Sequence, residues 1–312
     1  MSALICGSFA YDTIMVYPGK FKDEILPEKV HMLSVSFLVP EMRREFGGCA
    51  GNIAYNLNLL GGDGYAMGTV GKDFAPYAEW MDAQGVSRKH LKVIDEAFTA
   101  QAFITTDLDA NQITAFHPGA MGEAHSQTVP TDGSITLGMV SPDGRDGMIQ
   151  HAQQFAEAGI PFFFDPGQGM PMFDGNDLKT FIGQASYITV NDYEAEMLVD
   201  KTGLSRNDIA TQVEALIITG GGKGSVIYAA GQRYDIPCAT AENVVDPTGC
   251  GDAYRAGLIY GLQKGLDWDT TGRIASLIGA IKIATAGTQN HGFSKEAFES
   301  RYRAEFEADI SL

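Results

Sequence analysis

"VVDPTGCGDAYRAGLIYG", Val244 to Gly261, sets glycines and an aspartate between a short apolar run and a helical one. Pro247 biases Asp246 toward extended backbone and so ends the strand-like "NVV" before it. Gly249 and Gly251 permit a tight turn and let main-chain N–H groups approach a ligand with no Cβ in the way. From about Gly251 the run "GDAYRAGLIYGLQKG" has helical spacing, and its small residues Ala253, Ala256, Gly257 and Gly261 suit close packing. The N–H groups of Gly249, Cys250, Gly251 and Asp252 would then point outward at the positive end of a helix. Taken alone, the stretch reads equally as a glycine-rich turn with a first-turn acid, or as an anion site beside a proton-accepting carboxylate.

The rest of the chain alternates short apolar runs with helical segments. "ALIC", "ITLGMV", "IPFFFD", "SYITV" and "ALIIT" each stop near Gly, Pro, Asn or Asp, as buried parallel strands do. Between them, "NIAYNLNLLG", "FAPYAEWMDAQG", "GMIQHAQQFAEAG" and "DYEAEMLVDKTG" have helical spacing. This predicts an α/β three-layer sandwich whose twisted, mostly parallel sheet is covered on both faces. Residues 13–46 and 98–117 have no helical period. The second reads as a hairpin around "DLDAN". Both are expected in a small β-sheet lid, with 1–12, 47–97 and 118–312 forming the large domain.

Among the 312 residues, 45% are hydrophobic and 20% charged, as in a globular chain. Its 22 basic and 39 acidic residues give a formal charge of −17, against nucleic-acid or anionic-membrane partners. A phosphate ligand remains compatible, because helix N-termini and Mg²⁺ bring positive potential without Lys or Arg. Cys6, Cys49, Cys238 and Cys250 form no CxxC pair, so neither zinc nor a disulfide framework is indicated. No apolar run approaches the ~18 residues of a membrane span. "MSALICGSF" lacks a basic signal region, so a cytoplasmic location is expected.

A second glycine-rich stretch, "EFGGCAGNIAYNLNLLGG" from Glu45 to Gly62, places Gly47, Gly48 and Asn52 ahead of a helix. The glycines let backbone lie against a ligand, and Asn52 offers a donor and acceptors to hydroxyls. No strand clearly precedes this stretch, and the G-x-G-x-x-G spacing of dinucleotide folds is missing.

Together, "GGCAGN" and "DPTGCGDAYRAGL" resemble the two signatures of the ribokinase-like (PfkB) family of carbohydrate and nucleoside kinases. The likeness extends over nearly the whole chain. Asp12 follows the first strand like the family's substrate-binding aspartate, "NDYE" matches its N-x-x-E motif, and "ITGGGKG" is similar to its nucleotide turn. The resemblance implies ATP and Mg²⁺ as cofactors and leaves open a monovalent cation. It makes Asp252 the general base, and the amides of Gly249, Cys250, Gly251 and Asp252 the anion hole. Asn191 and Glu194 would hold the Mg²⁺–phosphate network, largely through water. This agrees with the residues themselves, which fall at a strand end and one helical turn later.

Asp12 would pair with a vicinal diol, in a pocket completed by Gly47, Gly48 and Asn52. Thr219, Gly220, Gly222 and Gly224 would approach the phosphates, and "IATAGTQNHG", with Ala284, Gly287 and Asn290, would border the adenine. Asp165 in "FFFDPGQG" ends a strand where open sheets place ligands, and reads equally as a turn former. His117 is a candidate lid contact and Arg43 and Arg44 candidate phosphate partners, though each also suits an ordinary loop. Arg255 has no role assigned.

Cys49 stands where the family's sugar kinases often carry Lys, and Met15, Phe37, Phe103, Ile113 and Phe116 offer a flat base an apolar surface. "SFAYDTIM" is most similar to the family's bacterial members that act on adenosine. The expected reaction is therefore ATP-dependent transfer to a nucleoside 5′-hydroxyl, adenosine giving AMP. A sugar kinase of the ribose or fructose type, a non-catalytic nucleoside or sugar sensor, and a nicotinamide enzyme are the alternatives. Open strand edges of the lid suit a homodimer formed through it.

Overall fold

The computed structural model describes residues 2–25, 32, 34–109 and 111–312. Apolar, mostly buried runs form the central strands of a nine-stranded sheet, and its edges are more polar. Its strands are β1 (Ala3–Cys6), β4 (Gly64–Gly71), β5 (His90–Ile94), β8 (Leu137–Val140), β9 (Phe162–Phe164), β10 (Tyr187–Asn191), β11 (Ala215–Thr219), β12 (Ser225–Ala229) and β13 (Gln232–Ile236). Their order is β13-β12-β11-β10-β9-β8-β1-β4-β5. All neighbours from β11 to β5 are parallel, and β12 and β13 add an antiparallel edge.

Helices cover both faces. On one lie α2 (Cys49–Leu59), α3 (Ala75–Ala83), α8 (Cys250–Gln263), α9 (Trp268–Lys282) and α10 (Lys295–Phe306), around a core containing Phe9, Ile53, Tyr77, Ile259 and Phe298. On the other lie α4 (Arg145–Glu157), α5 (Gly175–Gln184), α6 (Asp192–Thr202) and α7 (Arg206–Ala210), around Phe155, Phe164, Phe181 and Leu198. The expected three-layer architecture is observed. Ser8, Asp143, Asp165, Asn191 and Thr219 therefore gather at the carboxyl ends of the parallel strands.

A separate four-stranded sheet has the order β3-β2-β6-β7. It is built from β2 (Ala10–Val16), β3 (Glu41–Gly47), β6 (Ala100–Thr106) and β7 (Gln112–His117). A four-residue helix, α1 (Phe21–Glu24), interrupts the segment expected to be wholly β. Parts of that segment, 26–31 and 33, lie outside the described residues, as does position 110 in the hairpin. The hairpin of β6 and β7 forms as expected, and Asp107 at its turn accepts N–H groups of Phe21, Asp109 and Asn111.

Two boundaries differ from expectation. The second sheet begins at Ala10, so Asp12 lies within it rather than in the large domain. Strand β3 runs from Glu41 to Gly47, one residue past the expected end of the lid segment at 46, and leads directly into Gly48. Its sequence "EMRREFG" escapes an apolar-strand reading because its first four residues are exposed. Register partners share a face. Asp12, Glu45, Ala102 and Phe116 lie on one, while Thr13, Arg44, Phe103 and Ala115 lie on the other.

Helices α8 and α9 pack so closely that a Cβ on Gly257 would fall 2.4 Å from Ala275 Cα. Gly257→Ala gains at most about 1 kcal/mol in helix propensity and loses more to overpacking. The variant should lower urea-unfolding stability by about 1–3 kcal/mol. An unchanged or raised midpoint would contradict this packing.

Candidate active site

Two glycine-capped helices start facing one another. Gly48 caps α2 with φ 90°, and a Cβ there would sit 2.5 Å from Ser8 O. Gly249 caps α8 with φ 81°. Both positions require glycine's left-handed freedom. The helices meet through Asn52, whose Nδ2 donates to Asp252 Oδ2 at 2.8 Å. Asn52 Oδ1 accepts from Gln289 Nε2 at 3.0 Å, and the same nitrogen donates to Tyr77 OH at 2.5 Å. The side chain expected to bind substrate hydroxyls is thus engaged inside the protein, where it orients Asp252.

At the start of α8 the N–H of Cys250 donates to Pro247 O at 3.2 Å, which removes it from the expected anion hole. The N–H groups of Gly249, Gly251 and Asp252 have no acceptor among the described residues, as a first helical turn leaves them. Burial pushes the Asp252 carboxyl up to about 6; the Asn52 hydrogen bond opposes this, nearby Asp165 adds to it, and Arg255 opposes it. Asp165 is itself closed to ligands. Arg255 Nε and Nη2 grip its two oxygens at 3.0 and 2.9 Å, with both side chains buried. This fork also neutralises a guanidinium that would otherwise be desolvated alone. Arg255 Nη1 reaches Gly251 O at 3.4 Å, beneath the turn.

On the second sheet, a Cβ on Gly47 would collide with Asp12 Oδ2 at 2.6 Å, so Gly47 leaves space for that carboxylate. Burial, then Asp246 and Glu45, push Asp12 up to about 6. Ile14, Ile104 and half-exposed Phe116 share the Asp12 face of the second sheet. Phe103 does not: it pairs with Thr13 and faces away, together with Met15 and Ile113. Arg44 faces away too, 3.6 Å above the Tyr11 ring and 3.7 Å from Asp73, so it serves the sheet's packing rather than a phosphate. His117 pairs with Gln101 on that same outer face and is not directed at Asp12. Arg43 lies on the Asp12 side, 3.5 Å from Glu45.

Asn191 and Glu194 form a reciprocal capping box at the start of α6, each side chain accepting the other's N–H at 2.8 Å. Burial raises Glu194 above the usual carboxylate range. In the turn after β11, the N–H groups of Gly220 and Gly224 are consumed by Gly224 O and Gly221 O. Gly224 also packs against Ile236 O, and Thr219 Oγ1 donates to Val190 O at 3.5 Å, so of the four predicted phosphate contacts only the Gly222 N–H has no partner among the described residues. Ala284 lines a cleft of about 650 Å³ with Asn243, Thr285, His291 and Phe293. Gly287 and Asn290 do not. The Gly287 N–H donates to Asp246 Oδ2, and Asn290 Nδ2 to Glu45 Oε2, tying this segment to the second sheet.

Sequence reading missed Gln289, Glu45 and the Asp165–Arg255 pair. A signal existed for one of them: Arg255 breaks the small, apolar pattern "AYRAGL", and a buried arginine requires a partner. The assembled site holds open N–H donors, an adjacent carboxylate of raised pKa and a second carboxylate beside an apolar face, with a cleft of about 650 Å³ at Ala284. Those are the parts needed to bring an anion to an alcohol and remove its proton.

Known proteins similar to this chain are kinases. A model of the pfkB family of carbohydrate kinases matches residues 8–295. A nucleoside kinase of Methanocaldococcus jannaschii is 30% identical over 266 residues, covering 85% of this chain and 87% of the relative. The structure of a Burkholderia thailandensis nucleoside kinase in complex with inosine is 52% identical, covers 99% of this chain and 100% of that one, and superposes with a TM-score of 0.90. Its complex with ADP-inosine gives 54% identity and a TM-score of 0.88, covering 99% and 97% of the two chains. The chain belongs to the pfkB family of carbohydrate kinases, with the ribokinase-like fold, and is a phosphotransferase that acts on an alcohol group.

Proposed function

We propose that the chain transfers the γ-phosphoryl group of ATP to the 5′-hydroxyl of a purine nucleoside, with adenosine the acceptor expected from its sequence. One observation carries the reading. Asp252, with the open N–H groups of Gly249, Gly251 and Asp252 beside it, is joined through Asn52, Gln289 and Tyr77 to Gly47, next to which Asp12 stands on the sheet face that also carries Ile14, Ile104 and Phe116. Asp12 accepts the two ribose hydroxyls, and the apolar face receives the base. The inosine and ADP-inosine complexes of the Burkholderia relative support a nucleoside acceptor.

In the reaction, the nucleoside 5′-oxygen forms a bond to the γ-phosphorus while the bond from that phosphorus to the β-bridging oxygen breaks, releasing ADP. The hydroxyl proton passes to Asp252. Transition-state charge on the equatorial oxygens falls on the α8 amides. Asn52 keeps Asp252 aimed at the hydroxyl. Thr219 and Gly222 border the phosphates, and the cleft beside Ala284 takes the adenine of ATP.

Glu194 Oε2 is held by the Asn191 N–H, and among the described residues no cluster of three metal-binding side chains exists. A Mg²⁺ ion carried on the phosphates and reached by Glu194 through water fits that sparse donor set. When bound, it would neutralise β- and γ-phosphate charge. The sheet β3-β2-β6-β7 acts as the lid, and its exposed outer face around Met42, Phe103 and Ile113 suits a second copy of the chain.

Asp252→Asn should keep nucleoside binding by calorimetry and lose turnover by about 10²–10⁴-fold, measured as ADP release. Near-normal turnover would remove Asp252 as the base, and ADP release by neither protein would favour a sensor. Both Asp252 and Asp12 must be ionised, and both have pKa values raised to about 6. Hence kcat/KM should fall below about pH 6 more steeply than tenfold per pH unit. A profile flat from pH 8 to 5 contradicts the assignment. In a panel of adenosine, inosine, ribose and fructose, the nucleosides should have the higher kcat/KM, and preference for a free sugar would overturn the acceptor.

A further inference from the structure

Lys282, the last residue of α9, is completely buried. A lysine in a final helical turn ordinarily offsets the helix dipole with its head group in water. Here the ammonium instead donates to Asp246 O at 2.7 Å and to Thr285 O at 3.3 Å. These carbonyls belong to two segments that are already laced together. Ile283 O accepts the N–H groups of Val245 and Asp246 at 2.9 and 3.1 Å. The Asp246 carboxylate accepts those of Thr248 and Gly287, each at 2.9 Å.

Gly249, the cap of α8, comes three residues after Asp246 in the chain. Cys250 Sγ lies 3.9 Å from the same Asp246 oxygen that Lys282 holds. The cation thus sits behind the anion hole, where it fixes the turn without facing the cleft. Burial lowers its pKa, and the neighbouring Asp246, Cys250, Asp252 and Glu45 oppose that shift.

We propose that the Lys282 ammonium is a built-in monovalent cation that holds the Asp246 and Thr285 carbonyls together and so aims the Gly249, Gly251 and Asp252 N–H groups at the travelling phosphoryl group. Lys282 is a positioning residue, and the proposal rests on the phosphoryl-transfer reading. Two carbonyl oxygens and a nearby carboxylate form a setting that a weakly hydrated cation such as potassium or ammonium also accepts. With the lysine in place, no dissolved cation is required there.

The test uses the full chain with ATP and its best nucleoside. Wild-type turnover should be the same in potassium, sodium or tetramethylammonium chloride. Lys282→Ala should lower kcat by at least about tenfold, while nucleoside affinity by calorimetry stays within about twofold. Ammonium or potassium chloride should then restore part of the lost kcat, and tetramethylammonium, too large for the space, should not. Lys282→Met, which keeps volume but not charge, should lose kcat with no rescue.

The proposal is overturned if Lys282→Ala turns over within about twofold of wild type, or if its loss resists every cation while nucleoside binding and the unfolding midpoint persist. It is also overturned if wild type itself requires potassium. Failure of both variants to fold would make Lys282 a structural group and reject the positioning role. Inactivity of the wild-type chain on every nucleoside would instead reject the kinase reading itself.

Discussion

The hydrogen bond from Asn52 to Asp252 joins residues 200 positions apart, and the candidate active site depends on it. Each partner stands in the first turn of a helix whose start is a glycine in left-handed or otherwise positive-φ backbone. Neither turn is a phosphate loop in isolation. Brought together, one contributes unpaired N–H groups and a carboxylate, and the other sets the direction of that carboxylate. Tyr77 and Gln289 extend the same network and also fasten it to Gly47, whose carbonyl accepts the Tyr77 hydroxyl at 2.9 Å. The nucleoside wall and the anion wall are therefore held in register by one chain of polar contacts between α2, α3 and the 289 region.

That chain passes through a protein with a formal charge of −17. Strong negative charge and a phosphate site coexist here because the positive potential is local. Two helix N-termini, the Arg255 fork on Asp165 and the buried Lys282 all lie behind or beside the turn at Gly249. None of these cations is free in solvent, so each is screened less by salt than a surface residue would be. Burial costs are offset by pairing: Arg255 has a carboxylate, and Lys282 has carbonyls and the Asp246 carboxylate nearby. The raised carboxyl pKa values of Asp252 and Asp12 are the residue of that compromise, since neither has a cation of its own in direct contact.

The layered architecture was legible because β1, β8, β9, β10 and β11 are uninterrupted apolar runs, and because the helices between them keep their period and stop at glycine. The turn and helix start that carry Asp252 were legible from Pro247, Gly249 and Gly251 and from the small residues that follow them. Faces of the second sheet were not. Side chains alternate with a period of two, and nothing in "FTAQAFITT" says which parity looks inward until register with β2 is known. That ambiguity misplaced Phe103 and His117 while Phe116 came out on the Asp12 side. The internal partners of Asn52 were hidden for another reason. An amide's hydrogen-bonding capacity is visible in sequence, but whether Gln289 and Asp252 already use it depends on contacts more than 190 residues away. β3 was hidden by its charges, as small exposed sheets need little apolar surface.

The most direct measurement of the central claim is a crystal structure of the chain with a nucleoside and ADP–aluminium fluoride, a mimic of the phosphoryl group in flight. The account predicts the nucleoside 5′-oxygen within hydrogen-bonding distance of an Asp252 carboxylate oxygen, and the fluoride ligands on the N–H groups of Gly249, Gly251 and Asp252. A fluoroaluminate bound elsewhere, or a 5′-oxygen turned away from Asp252, would contradict it.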